Sequence, residues 1–315
     1  MNHPAPIPKS SKAPAEHGLF HPSILLPFLL VSLIWGSTWL VIRDQINVVP
    51  ASWSVTYRFI VAAAGMFLLT AVMKNTLRLD RKGHVLALII GAVQFAVNFN
   101  FVYAAEHHVT SGLVAVLFAL LIIPNALLGK FWLGKPVAKS FWIGAFIACI
   151  GIGLLVLREY RLSPKSAVDV LIGTGLTVAA VISASFGNVL QATERMKSYP
   201  ITTVLAWSML YGMIGNAIWS LITVGAPSFD PRPAYLGGIV YLGIIGSVVT
   251  FPLYFNLVRV IGPGKAAYTS VFIPIVAMLL STLFEGYQWT GLAAAGAVLA
   301  VTGLLVSMQA ARPAR

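Results

Sequence analysis

The sequence predicts an all-α integral membrane protein of ten transmembrane helices, built as two inverted five-helix repeats. Three observations predict it. The 315 residues are 58% hydrophobic and only 10% charged, with a mean hydropathy of +0.86, whereas a soluble domain carries about 25% charged residues. Apolar runs long enough to cross the ~30 Å of bilayer hydrocarbon recur along the whole chain. The chain also matches itself after a shift of 150 residues. Lipid cannot satisfy exposed backbone polar groups, and no alternating barrel pattern is present, so the spans must be helices.

The elements follow in order. Residues 1–20, MNHPAPIPKSSKAPAEHGLF, are rich in Pro, Ser and Lys and read as a disordered tail. The apolar run after them is longer than a signal-peptide core and lacks a clear small-residue cleavage site. Spans are expected at 21–42, 50–73, 84–105, 110–128, 140–158, 169–193, 201–222, 235–258, 265–283 and 290–308. Breakers and charges separate them: NVVP, KNTLRLDRKG, EHHVTSG, GKFWLGKP, REYRLSPKS, ERMKSYP, GAPSFDPRP, RVIGPGK and EGYQW. The first repeat covers 21–158, the second 169–308, and a short tail, 309–315, closes the chain.

Charge sets the expected direction. With the N-terminus inside, 15 of the 21 Lys and Arg fall in cytoplasmic segments, five fall outside, and Arg58 remains within a span. That bias places both termini in the cytoplasm. REYRLSPKS fits poorly, with three positive residues on the outer side. The net charge of +12 is explained by these loop anchors and not by a nucleic-acid surface. Cys149 is the only cysteine, so no intrachain disulfide can form.

In the 150-residue shift Pro50 falls on Pro200, Gly65 on Gly215, Pro124 on Pro274 and Gly153 on Gly303. Five spans per unit is an odd number, so the second unit runs upside down. Its loop charges change accordingly. Lys130, Lys135 and Lys139 give way to Leu280, Glu285 and Trp289, while Gln45 and Asn47 give way to Arg195 and Lys197. Inverted repeats are the usual architecture of carriers that alternate access around a midplane site.

WGSTWLVI followed by VVPASWSVTYRF resembles the EamA-type family of drug/metabolite transporters, as does EHHVTSGLVAVLFALLIIPNALLGKFWLGKP. The second-half copy, SVFIPIVAMLLSTLFEGYQW, carries that family's Pro-then-Glu signature as Pro274 and Glu285, whereas the first half has Lys135 in place of the glutamate. The resemblance spans about residues 25–308. It implies a ten-helix fold with a central cavity in a bacterial inner membrane. It also implies a carrier, often an exporter, of small organic metabolites such as amino acids. A sugar, nucleoside or phosphorylated-metabolite carrier and a channel-like facilitator are the alternatives.

Polar residues inside apolar spans are the candidate site, because buried amides and hydroxyls need partners or water. Gln94 and Asn98 share a helical face, with Tyr103 on its flank, and Tyr254 and Asn256 stand in the inverted counterpart of that helix. Trp35 and Thr38 in the first span correspond to Ser185 and Asn188 in the sixth, and Tyr268 precedes Pro274. Arg58 lies ~12 Å in from Pro50 at 1.5 Å per residue. It can anchor the helix by reaching outward or hold an anionic ligand. Pro124 and Pro274 are expected to break their helices and free carbonyls. Glu106, His107 and His108 are candidates for proton coupling, with an ordinary solvated loop as the alternative. Ser111 lacks the companion acid and GxSxG context of a serine hydrolase, and no catalytic set, metal site or cofactor is expected. The expected partners are a small-molecule substrate and the bilayer, with no nucleic acid and no obligate protein partner.

Overall fold

The computed structural model describes residues 21–46, 48–162 and 166–309. The expected tail at 1–20 and residues 310–315 of the one expected at 309–315, and with them Lys9, Lys12, Arg312 and Arg315, lie outside the described residues, as does Lys165.

The described chain is helical throughout its regular structure. Eight helices are long and apolar enough to cross a membrane: α1 Pro22–Gln45, α2 Ala51–Val72, α3 Arg81–Glu106, α4 Ser111–Leu133, α5 Lys139–Leu162, α6 Ala167–Gln191, α7 Ile201–Thr223 and α8 Pro233–Ile261. Two shorter apolar helices follow, α9 Thr269–Phe284 and α10 Gly291–Gln309. Helix ends follow local chemistry. Asp80 caps α3 by accepting from the Gly83 amide at 2.8 Å. Ser166 and Asp169 form a reciprocal capping box on α6. Gly134, at φ +63°, closes α4 in the left-handed region that a Cβ disfavours.

Several helices overrun the limits expected from hydropathy. α5 continues through Leu162 and not only to 158. Arg158 and Glu159 do not stop it because they neutralise each other in place. Arg158 donates to Glu159 at 3.1 Å and to the Gln288 carbonyl at 2.5 Å, and its guanidinium lies 4.2 Å from the Tyr287 ring centroid. One of the three positive charges in REYRLSPKS is therefore buried in an ion pair and does not act as a loop anchor.

The repeat is visible in the backbone. α3 widens into a π-helical segment at Gly91–Val97, and α8 does so at Tyr241–Val249, 150 residues later. Packing is paired in the same sense: α1 lies on α9 as α6 lies on α4, and α3 packs on α7 as α8 packs on α2. α5 and α10, counterparts of each other, pack along their length. Small residues permit that approach, since a Cβ on Gly151 would stand 2.2 Å from the Ala300 nitrogen and one on Gly303 2.2 Å from the Ala148 nitrogen.

Candidate functional site

A cavity of about 80 Å³ opens between the two repeats. It is walled by α1, α2, α3 and α4 of the first repeat and by α6, α8 and α9 of the second. Of the residues expected to bind substrate, Trp35, Thr38, Arg58, Gln94, Asn98, Asn188 and Tyr254 line it.

The π segment of α8 shapes one wall. A π turn displaces carbonyls from the ordinary ladder, and such turns are frequent at functional sites. The Gly246 carbonyl within it accepts from Trp35 Nε1 at 3.1 Å and from Arg58 Nη2 at 3.5 Å. Ser247 Oγ accepts from Arg58 Nη2 at 3.2 Å and Nε at 3.3 Å, and donates back to the Leu242 carbonyl. Gly246 also sits where a Cβ would meet the Thr38 methyl at 3.1 Å. α1, α2 and α8 are thus knitted together at this one turn.

Arg58 is 1% exposed and forms no ion pair among the described residues. Its guanidinium carbon lies 4.3 Å from the Phe99 ring centroid and 5.6 Å from that of Phe59. Nη1 has no hydrogen-bond partner among the described residues. Tyr103 stands beside the guanidinium and donates to Gln45 Oε1 at 3.2 Å. Three acceptors in the same cavity are equally unmatched among the described residues: Gln94 Oε1, Asn98 Oδ1 and Asn188 Oδ1. Asn188 donates to the Tyr254 hydroxyl at 3.3 Å, and Asn98 to the Gln94 carbonyl at 3.3 Å. Aromatic rings complete the walls, with Trp35 4.9 Å from Tyr254 and Trp39 5.2 Å from Phe118 by centroid.

Other expected site residues stand elsewhere. Asn256 is exposed on the far face of α8, because two residues along a helix turn it ~200° from Tyr254. Tyr268 is buried in the turn before α9 and does not line the cavity. Tyr103 reaches the site only through its contact with Arg58. A 3₁₀ turn, Ala119–Leu121, precedes Pro124, whereas the helix runs without interruption through Pro274. His107 is exposed, and His108 is engaged with Asp169 at 2.8 Å. Glu106 is fully buried at the end of α3 and not in a solvated loop.

The sequence reading missed Phe99, Phe118 and Trp39, since aromatic residues suit lipid and cavity alike. It also missed Asn125, fully buried, which donates to the Pro263 carbonyl at 3.4 Å and accepts from Asn188 at 3.5 Å. An amide directly after Pro124 in an apolar run was the available signal.

The ends of the cavity are held differently. At the end where α3 begins, Asp80 accepts from Arg195 at 2.6 Å and from the Tyr199 hydroxyl. These bonds, Tyr199 first, hold the Asp80 carboxyl below the usual carboxylate range. Arg259 donates to the Tyr199 carbonyl at 2.8 Å and to Gln191 at 3.0 Å. At the opposite end Arg43, Glu106, Ser111 and Glu285 converge.

The sequence profile described as the EamA-like transporter family matches residues 22–157 and 171–309. Protein PagO of Salmonella typhimurium is 25% identical over 270 residues, covering 84% of this chain and 86% of that one. The uncharacterized inner membrane transporter YedA of Escherichia coli K12 is 29% identical over 265 residues, covering 81% and 80%. A protein of the same organism named "Probable amino-acid metabolite efflux pump" is 25% identical over 289 residues, covering 89% and 93%. One solved protein chain shares the fold with a TM-score of 0.66 at 21% identity, over 92% of this chain and 98% of that one.

Proposed function

The chain belongs to the EamA-like transporter family, and from that premise we propose that it exports small carboxylate-bearing metabolites, amino acids foremost, by alternating access around the central cavity. The observation that carries the reading is the unmatched set inside it: a donor on Arg58 and acceptors on Gln94, Asn98 and Asn188. An unpaired buried charge is expensive, and a carboxylate placed against guanidinium nitrogen gains a charge-assisted bond. The amide oxygens suit an ammonium group, and the aromatic and aliphatic walls suit an apolar side chain. The name of the efflux pump relative points to the same chemical class.

Arg58 is the single cation lining the cavity among the described residues. A phosphate dianion would require more donors than that, so a monocarboxylate fits better than a phosphorylated metabolite. The packing of α1 on α9 and α6 on α4 gives two equivalent interfaces that could open in turn. We place the chain in the inner membrane with ten spans and both termini cytoplasmic, a reading supported by the loop charges and by the name of YedA.

The test is counterflow in proteoliposomes preloaded with mixed unlabelled amino acids. Saturable uptake of a labelled aromatic amino acid is expected, with the matching amine and amide failing to compete. Uptake that never saturates would make the protein a channel. Competition by phosphorylated sugars but not by amino acids would overturn the substrate class.

A further inference from the structure

We propose that Glu106 is the proton-binding site of the transport cycle: it holds a proton while the cavity is shut at this end and releases it when that end opens. The inference rests on the alternating-access reading but not on the identity of the solute.

Glu106 is the last residue of α3 and is 0% exposed. Neither of its carboxyl oxygens has a hydrogen-bond partner among the described residues. An ionised carboxylate without a donor or water is far costlier there than the neutral acid. Arg43 is the cation nearest to it, and Glu285 draws on the same charge. From α1, Arg43 donates to the backbone carbonyl of Glu106, and its Nε lies 3.9 Å from Glu285 at the end of α9. From α4, Ser111 Oγ donates to Glu285 at 2.5 Å. From α5, Arg158 and Glu159 neutralise each other at 3.1 Å. In the following loop His108 is engaged with Asp169, and His107 is exposed. Arg43 thus stands between two carboxylates, of which Glu285 takes its side-chain ion pair and the Ser111 hydroxyl, while Glu106 receives no hydrogen bond among the described residues and is the one that holds the proton.

The cluster also joins elements of both repeats at this end. One guanidinium ties α1 to α3 and α9. Water entering between them would let Glu106 ionise, and the new carboxylate would compete with Glu285 for Arg43. Opening and proton release thereby favour each other, as linkage requires. Tyr103, one turn before Glu106 on α3, stands beside Arg58, so the proton site and the anion site lie one helical turn apart along α3.

No substrate is needed to test this. Ala115 lines the cavity on α4. In the full-length chain in proteoliposomes, with Cys149→Ala and Ala115→Cys, a membrane-impermeant maleimide added outside reports opening of this end. Ser228→Cys, in the exposed loop before α8, corrects for the pH dependence of the reagent and identifies the protein molecules whose outer face is accessible. Corrected labelling should rise at least about fivefold from about pH 5 to about pH 8, since one linked proton permits up to tenfold per unit. Glu106→Gln should hold labelling at its acid level throughout, and Glu106→Asp, still ionisable, should keep the rise. Labelling that is independent of pH, or a rise that survives in Glu106→Gln, overturns the proposal and leaves the carrier reading intact. No labelling of Ala115→Cys at any pH, with the loop control labelled, counts against both.

Discussion

The Arg58 guanidinium lies 4.3 Å from the centre of the Phe99 ring, with the Ser247 hydroxyl at 3.2 Å and no carboxylate in reach among the described residues. A cation held by ring faces and dipoles is stabilised without being neutralised, so it remains available to an anion. Arg58→Gln should weaken binding of a carboxylate-bearing solute about 10- to 100-fold, from the ~1.5–3 kcal/mol of a charged hydrogen bond. Its thermal stability should stay level or rise, because an incompletely paired buried charge is removed. Measured affinity and melting temperature separate the roles. A loss of stability with unchanged affinity would make Arg58 a structural residue.

Trp35 forms both a wall and a hydrogen bond, its ring 4.9 Å from Tyr254 and its Nε1 3.1 Å from the Gly246 carbonyl. Trp35→Phe keeps most of the wall and loses the donor, a change worth about 0.5–1.5 kcal/mol. It should raise KM a few-fold with little change in the largest solute accepted. Trp35→Ala should enlarge the cavity, admit bulkier side chains in counterflow and cost about 3–5 kcal/mol of stability. A size series of labelled amino acids run on both variants would distinguish the two effects.

The parts legible from sequence were those set by composition and local polarity. Hydropathy located the helices, and isolated polar residues in apolar runs marked Gln94, Asn98, Asn188 and Tyr254, all of which line the cavity. Helical phase by itself excludes Asn256, which stands opposite Tyr254. Glu106 was harder. Its neighbours read EHHVTSG, the composition of a loop, and the groups that surround it, Arg43 of α1 and Glu285 at the end of α9, are brought to it by no local window. The π segments were also hidden, because an apolar run looks the same whether its carbonyls bond four or five residues on. Nor does repeat symmetry guarantee equal surroundings. Gly153 and Gly303 align, yet only Gly303 is packed against a neighbouring backbone.

That contrast gives a stability test along the α5–α10 seam. A Cβ on Gly151 would stand 2.2 Å from the Ala300 nitrogen and 2.6 Å from the Gly296 carbonyl oxygen, both backbone atoms that cannot rotate away. Gly151→Ala should therefore cost about 1–3 kcal/mol, the usual range for overpacking. Gly153→Ala meets nothing within 4 Å and should be neutral, or stabilising by a few tenths of a kcal/mol through helix propensity. Thermal unfolding in detergent, with the two variants side by side, checks the seam. Equal effects would mean that the helices separate easily there.

At the opposite end from Glu106, Asp80 accepts from Arg195, Tyr199 and the Gly83 amide. These bonds are made by the carboxylate and lost by the acid, so the folded carboxyl titrates below its ordinary value. The sign follows from that depression. The contribution is fully present above the unfolded value of ~3.9 and disappears as pH falls through the lower folded value. Asp80→Asn should remove this acid-side dependence and leave the stability difference from wild type constant above about pH 5. Because the pair is exposed, its contribution should also shrink as salt is raised. The check is a set of melting curves for both proteins across the acid range at two ionic strengths. A difference that persists unchanged below the folded value would mean that the substitution acts through something other than the Asp80 charge, since Asn retains the cap on α3.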